Sequence, residues 1–267
     1  NYDKLIDLGI RCWQYHFEFL NLGYASYVTF VDFCTKAFPD IPLQKITQMV
    51  AGIDVILYRP DEELKKLAKL AIELGIDSQI GDDTKDVESV ITELNGSENG
   101  KKWVSAWDEA KYPWFNISTG TGWYHQDVSW NDNLNVPLSS TRIYINKLNK
   151  GKSIDRPLEK IQAERKKLIT EYRGLLKTDE DRQTFDQLHG TSEMVFPYVE
   201  NHMFYVEHWF HSVFWNKMRN VASIMTEHHF IKDIEDVWYL SRSEIKEALW
   251  GSCDSLGNRY KGVWSPS

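Results

Sequence analysis

The sequence predicts a mainly α protein, and three observations carry that expectation. Apolar residues recur at three- to five-residue steps over long segments, the spacing of one helix face. Pro39, Pro60, Gly75 and a breaker cluster at 95–100 punctuate those segments where helices start and stop. Only one short stretch, residues 236–240, reads as a strand. The expected fold is a multi-helix domain with a long buried central helix, an irregular aromatic-rich loop and at most a short strand near the C-terminus.

The first helix covers 3–37, where Leu5, Leu8, Trp13, Phe17, Leu20, Tyr24, Tyr27 and Val31 mark one stripe. It ends at Phe38, because the residue before a proline disfavours helical geometry. A second helix covers about 42–57. The third opens at Pro60, a favoured first-turn residue, with Asp61, Glu62 and Glu63 where the helix dipole favours anions, and Gly75 closes it. A helix over 83–95 runs into the 95–100 cluster. That cluster is the candidate boundary between an N-terminal helical lobe, 1–98, and a C-terminal lobe, 99–267.

After a short helix near 101–110 comes the least regular segment, 112–140. It holds Trp114, Phe115, Trp123, Tyr124 and Trp130 among Gly, Ser, Thr and Asn, and an aromatic-rich loop of that length is more often functional than idle. Helices resume over 156–176 and 179–189, and a very long one spans 196–230. Ser241, with Glu244 three positions on, forms a capping box for a helix through Trp250. The tail from Gly251 is polar and reads as a linker.

Composition narrows the function classes. There are 31 basic and 39 acidic residues, a net charge of −8, and no polybasic tract, so neither nucleic acid nor an anionic membrane is an expected partner. No apolar stretch is long enough to span a bilayer, and no signal pattern opens the chain. Cys12, Cys34 and Cys253 are widely spaced, which argues against a disulfide framework and fits a reducing cytoplasm. The chain begins at Asn1, as a fragment of a longer protein would. Aromatic residues reach 13% (11 Trp, 13 Tyr, 12 Phe); they fill cores and also line pockets for flat ligands.

The densest chemistry lies on the long helix. With about 100° per residue, Glu200, Phe204, Glu207, His208, His211 and Trp215 share one arc, and His202 projects to the far side. Glu207 and His211 stand at i and i+4, so the carboxylate can orient the imidazole as a general base requires. The same pair read structurally only pins helices together. His208 and His211 have metal-like spacing, but two ligands fall short of the three or four that zinc needs, and no metal is expected. Residues 118–122, Ser-Thr-Gly-Thr-Gly, lack the lysine and spacing of a P-loop; they read as a tight turn presenting Trp123, Tyr124 and His125. No nucleotide-binding fingerprint is present, so the chain is not expected to bind ATP by itself.

These residues suggest a family. The stretch from Glu200 to Leu249 resembles the segment preceding the swivelling phosphohistidine domain of phosphoenolpyruvate-synthase-like proteins. The resemblance is carried by an aromatic helix ending in Lys217 and Arg219 and by the EDVWYL…EI text of residues 235–245. The 114–132 loop stands where rifampin phosphotransferases carry a Gly-rich segment, although its text departs from theirs. The helix text from Glu200 to Arg219 looks most similar to phenylphosphate-synthase-like proteins, and the N-terminal helix with Trp13, His16, Phe17 and Glu18 looks like the start of the same region.

The resemblance implies the acceptor-binding domain of a dikinase-type phosphotransferase. ATP-grasp and phosphohistidine domains, in cis or on partner subunits, would bind ATP and Mg2+, and this chain would hold no cofactor. The acceptor would be a small aromatic hydroxyl compound. On this expectation His211, oriented by Glu207, takes the hydroxyl proton beside His208, and Lys217 and Arg219 offset phosphoryl charge. Trp13, His16, Trp123, Tyr124, His125, His202, Phe204 and Trp215 would form the binding walls. The alternatives are a non-catalytic small-molecule binding or regulatory module on the same fold, and a metal-dependent hydrolase.

Overall fold

Helix α1 (Tyr2–Ala37) is the axis of the molecule, and its buried positions are unusual. They are Gly9, His16, Gly23 and Phe30, one every seventh residue, followed by Cys34. Such a repeat keeps one seam facing a long antiparallel partner. The computed structural model describes residues 1–253, and the rest of the linker-like tail lies outside the described residues. Part of the expected α1 stripe is corrected here: Leu8, Phe17 and Tyr24 are exposed. The seam instead uses small residues where another helix comes close.

The remaining α-helices are α2 (Leu43–Met49), α3 (Arg59–Glu73), α4 (Asp77–Gly81), α5 (Val87–Leu94), α6 (Glu98–Lys111), α7 (Asn135–Asn149), α8 (Leu158–Leu175), α9 (Asp179–His202), α10 (His211–Glu227) and α11 (Arg242–Cys253). A π-helical segment, Met203–Phe210, joins α9 to α10 without a break. No strand occurs among the described residues, so the protein is mainly α. Of residues 236–240, all but the extended C-cap Leu240 lie within a 3-10 helix, Ile234–Tyr239, whose Asp233 and Asp236 form a capping box. None of the described helices is long and apolar enough to cross a membrane.

The partner of α1 is the composite α9–π–α10 rod, which runs antiparallel to it. Phe30 meets Phe185 and His189, Ser192 Oγ donates to the Ser26 carbonyl at 3.1 Å, and a Cβ on Gly23 would run into Val199. Further along, a Cβ on Gly9 would crowd the Phe214 ring. Buried apolar clusters form at both ends of this pair. One gathers Phe30, Cys34, Ile46, Met49, Leu168 and Phe185; the other gathers Met218, Ala222, Met225, Phe230, Val237 and Ile245. A third cluster spans α3 to α7 around the fully buried Trp103 and Trp107, each side chain of that size contributing about 1.5–3 kcal/mol on burial. Leu94 and Trp103 both belong to it, on either side of the 95–97 turn.

Several element boundaries differ from expectation for local reasons. The helix expected over 42–57 stops at Met49, and the chain turns at Gly52. The loop expected over 112–140 ends where α7 begins; Pro137 sits in its first turn, and Leu138, Thr141 and Ile145 form its buried face. Asn- and Ser-rich composition hides that stripe. The expected Ser241–Glu244 capping box is made, with Ser241 N–H donating to Glu244 at 2.7 Å and Glu244 N–H to Ser241 Oγ at 3.3 Å.

Candidate functional site

The π-helical segment decides which side chains meet. In an α-helix, residues five apart point about 140° away from each other at about 100° per step. A π turn bonds i to i+5 and lays such residues over one another, and these turns occur often at functional sites. His202 and Glu207 are therefore brought to one face, with His202 Nε2 and Glu207 Oε1 3.3 Å apart. The projection that sets His202 opposite Glu207 is corrected by this segment. Across the helix pair, His16 of α1 places Nδ1 at 3.3 Å from the same Glu207 oxygen and 3.2 Å from His202 Nε2. All three residues are buried.

A loop closes over this cluster. Gly122 has φ +80°, and a Cβ there would run into the Glu207 carbonyl oxygen, so only glycine lets the 118–122 turn lie on the π segment. Trp215 Nε1 holds the turn by donating to the Gly122 carbonyl at 3.0 Å, and Asp127 accepts from Gly122 N–H at 2.9 Å. The turn delivers Trp123, whose ring lies 4.8 Å from His16 and 5.1 Å from Trp13, both edge-on. Its indole is a polar neighbour of the Glu207 carboxylate. Burial pushes the Glu207 carboxyl up, but the polar contacts of His202 and Trp123 and the nearby imidazoles outweigh it and hold the group below the ordinary value. Burial beside His202 lowers His16, against the opposing pull of Glu207.

The expected Glu207–His211 couple is not made through the carboxylate. His211 Nδ1 donates instead to the Glu207 backbone carbonyl at 3.2 Å, and its buried Nε2 has no hydrogen-bond partner in the protein. Burial lowers its pKa, so the ring is a neutral acceptor at Nε2, 5.1 Å between centroids from Trp13. His208 is held separately: its Nδ1 accepts from the Ser118 backbone N–H at 3.2 Å and lies 2.9 Å from Ser118 Oγ. A backbone amide can only donate, which fixes the proton on Nε2 of the neutral ring. Burial lowers this imidazole too.

Beside the cluster, between α1 and α9, lies a cavity of about 320 Å³, toward the small end of ligand sites. Leu20, Tyr24, Phe196, Val199 and Met203 give it apolar walls, while Glu200 and Glu207 are its acidic groups. Burial raises the Glu200 carboxyl, whereas Glu207 is held ionised. Of the loop residues Trp123, Tyr124 and His125, Trp123 lines this cavity. Tyr124 is exposed, and His125 stacks near Trp238 at 4.5 Å.

The other expected site residues lie elsewhere. Phe204 is fully buried among Trp114, Tyr205 and Trp209. Lys217 is exposed, and Arg219 braces the loop through the His125 carbonyl and Asn216. Sequence reasoning missed Ser118, Phe196 and Val199; the aromatic and β-branched spacing of the last two was a usable signal.

Comparison with protein-family models, curated proteins and solved structures finds no match to this chain. The site's chemistry therefore rests on its own geometry. An ionised carboxylate lining a largely apolar cavity can accept a proton or a hydrogen bond from a hydroxyl. Two buried imidazoles beside it can brace that carboxylate or join it around a cation.

Proposed function

We propose that this chain is the acceptor-binding part of an ATP-dependent dikinase-type phosphotransferase that phosphorylates a small aromatic hydroxyl compound. The observation that carries the reading is the 320 Å³ cavity with apolar, aromatic walls and the ionised Glu207 among its lining groups. A flat ring suits the walls, and its hydroxyl suits the carboxylate. The resemblance of residues 200–249 to the region before a phosphohistidine domain supports the reaction class. The phosphoryl donor would be a phosphohistidine on another domain or subunit, and a separate ATP-grasp domain or subunit would bind ATP and Mg2+.

In this scheme an acceptor oxygen–phosphorus bond forms as the histidine nitrogen–phosphorus bond breaks, and the hydroxyl proton passes to Glu207. A carboxylate is a weak base toward a phenol near pKa 10, so transfer comes late, as the hydroxyl becomes acidic on bonding to phosphorus. His202, His16 and Trp123 position the carboxylate, while His211 and His208 stabilise the packing around it. The test is phosphorus NMR of the full-length protein with Mg-ATP and a panel of phenols. An aryl phosphate formed together with AMP supports the proposal; ATP consumption that no phenol alters, with no aryl phosphate, contradicts it.

A further inference from the structure

We propose that His16 Nδ1, His202 Nε2 and Glu207 Oε1 are three ligands of a site for a tetrahedral divalent cation of the zinc class, with one coordination position open. The donor atoms form a nearly equilateral triangle: 3.2 Å between the imidazoles and 3.3 Å from each to the carboxylate. An ion with tetrahedral bonds of about 2.0–2.1 Å keeps its ligands roughly 3.3–3.4 Å apart, so this triangle already has the size of one tetrahedral face. Octahedral magnesium at similar bond lengths needs neighbours about 2.9 Å apart and favours oxygen donors. Two imidazoles and a carboxylate are the ligand set of open, catalytic zinc sites.

Proton counting points the same way. His202 Nδ1 faces the Val199 carbonyl, which only accepts, so the proton sits there and Nε2 of the neutral ring carries a lone pair. That lone pair, the Glu207 oxygen and His16 Nδ1 converge on one another. A proton on His16 Nδ1 leaves the Glu207–His202 contact as two acceptors. A cation at the centre of the triangle satisfies all three atoms at once and leaves the His16 proton on Nε2, which is buried without a partner in the protein. The Val199 carbonyl is also the kind of outer partner that orients a ligating histidine. Phe19 stacks on the His202 ring at 5.8 Å, and Trp13, Phe17 and Trp123 surround His16, an apolar shell that fixes both rings. Glu207 also lines the cavity, which connects the cluster to ligand space.

The cation site holds whether or not the cavity takes an aromatic hydroxyl. A failed phosphorylation assay leaves it standing, and a failed metal titration leaves the acceptor reading standing. Full-length protein stripped with chelator is titrated with Zn2+ by calorimetry and with Co2+ by visible absorption. One equivalent should bind, Co2+ should give the intense absorption of a four-coordinate ion, and His16→Ala and His202→Ala should each weaken binding on the order of 100-fold. His228→Ala should keep it. Circular dichroism checks folding, and His16→Gln replaces the alanine variant if that one unfolds. No binding to folded wild-type protein, the faint spectrum of six-coordinate Co2+, or binding that survives in a folded His16/His202 variant overturns the proposal and leaves the cluster as a proton-sharing group.

Discussion

Glu207 and His202, five positions apart on one rod, touch at 3.3 Å because the helix between them is π rather than α. Losing one partner leaves the other buried with one polar contact fewer, which costs about 1–3 kcal/mol for a buried polar group. Removing both in favour of apolar groups costs much less. In chelator-treated protein, His202→Leu should therefore be destabilised more than the double variant His202→Leu/Glu207→Leu. Urea denaturation measures this, and strictly additive losses would mean that the two side chains are not coupled.

Gly122 tests the fit of the loop on the π segment. Gly122→Ala meets both a positive φ, worth about 1–2 kcal/mol, and the Glu207 carbonyl. It should lower the melting temperature and weaken ligand binding together, because Trp123 shifts with the turn. Gly190→Ala, inside α9 with open space around it, is the control and should be neutral or stabilising by up to about 1 kcal/mol. Equal melting temperatures for the two variants would show that the loop does not lie as described.

The two described thiols give a pH prediction. Burial pushes Cys34 up to about 12 and Cys12 up to about 11, from an ordinary value of 9.0. Because the folded values are raised, their contribution to stability is complete below pH 9.0 and is lost as pH rises through the folded values. At pH 8 both should resist alkylation in the native state and react on unfolding, as peptide mass spectrometry can follow. Rapid native labelling of Cys34 would contradict its burial.

The rods, the capping box at Ser241 and the aromatic loop were legible because they depend on local spacing and side-chain chemistry. His16, His202, Glu207 and Trp123 were each singled out from the sequence, yet the grouping was wrong. A projection at the α-helical angle joins Glu207 to His211 and sends His202 away. Nothing in residues 203–210 announces a π turn, which shows only in the fold, where the segment packs against α1 and under Gly122. The buried seam of α1 was also hidden: two of its positions are glycines, which carry no hydrophobic signal.

The central claim is that Glu207, not His211, receives the acceptor proton at the cavity. Acceptor phosphorylation by the full-length enzyme, measured for Glu207→Gln and His211→Asn beside a phenol-binding titration, tests it most directly. Glu207→Gln should slow transfer by roughly 10²–10⁴-fold with far less change in phenol affinity. His211→Asn should lose activity only as far as folded protein is lost. The account is contradicted if Glu207→Gln transfers at the wild-type rate while folded His211→Asn is the variant that fails.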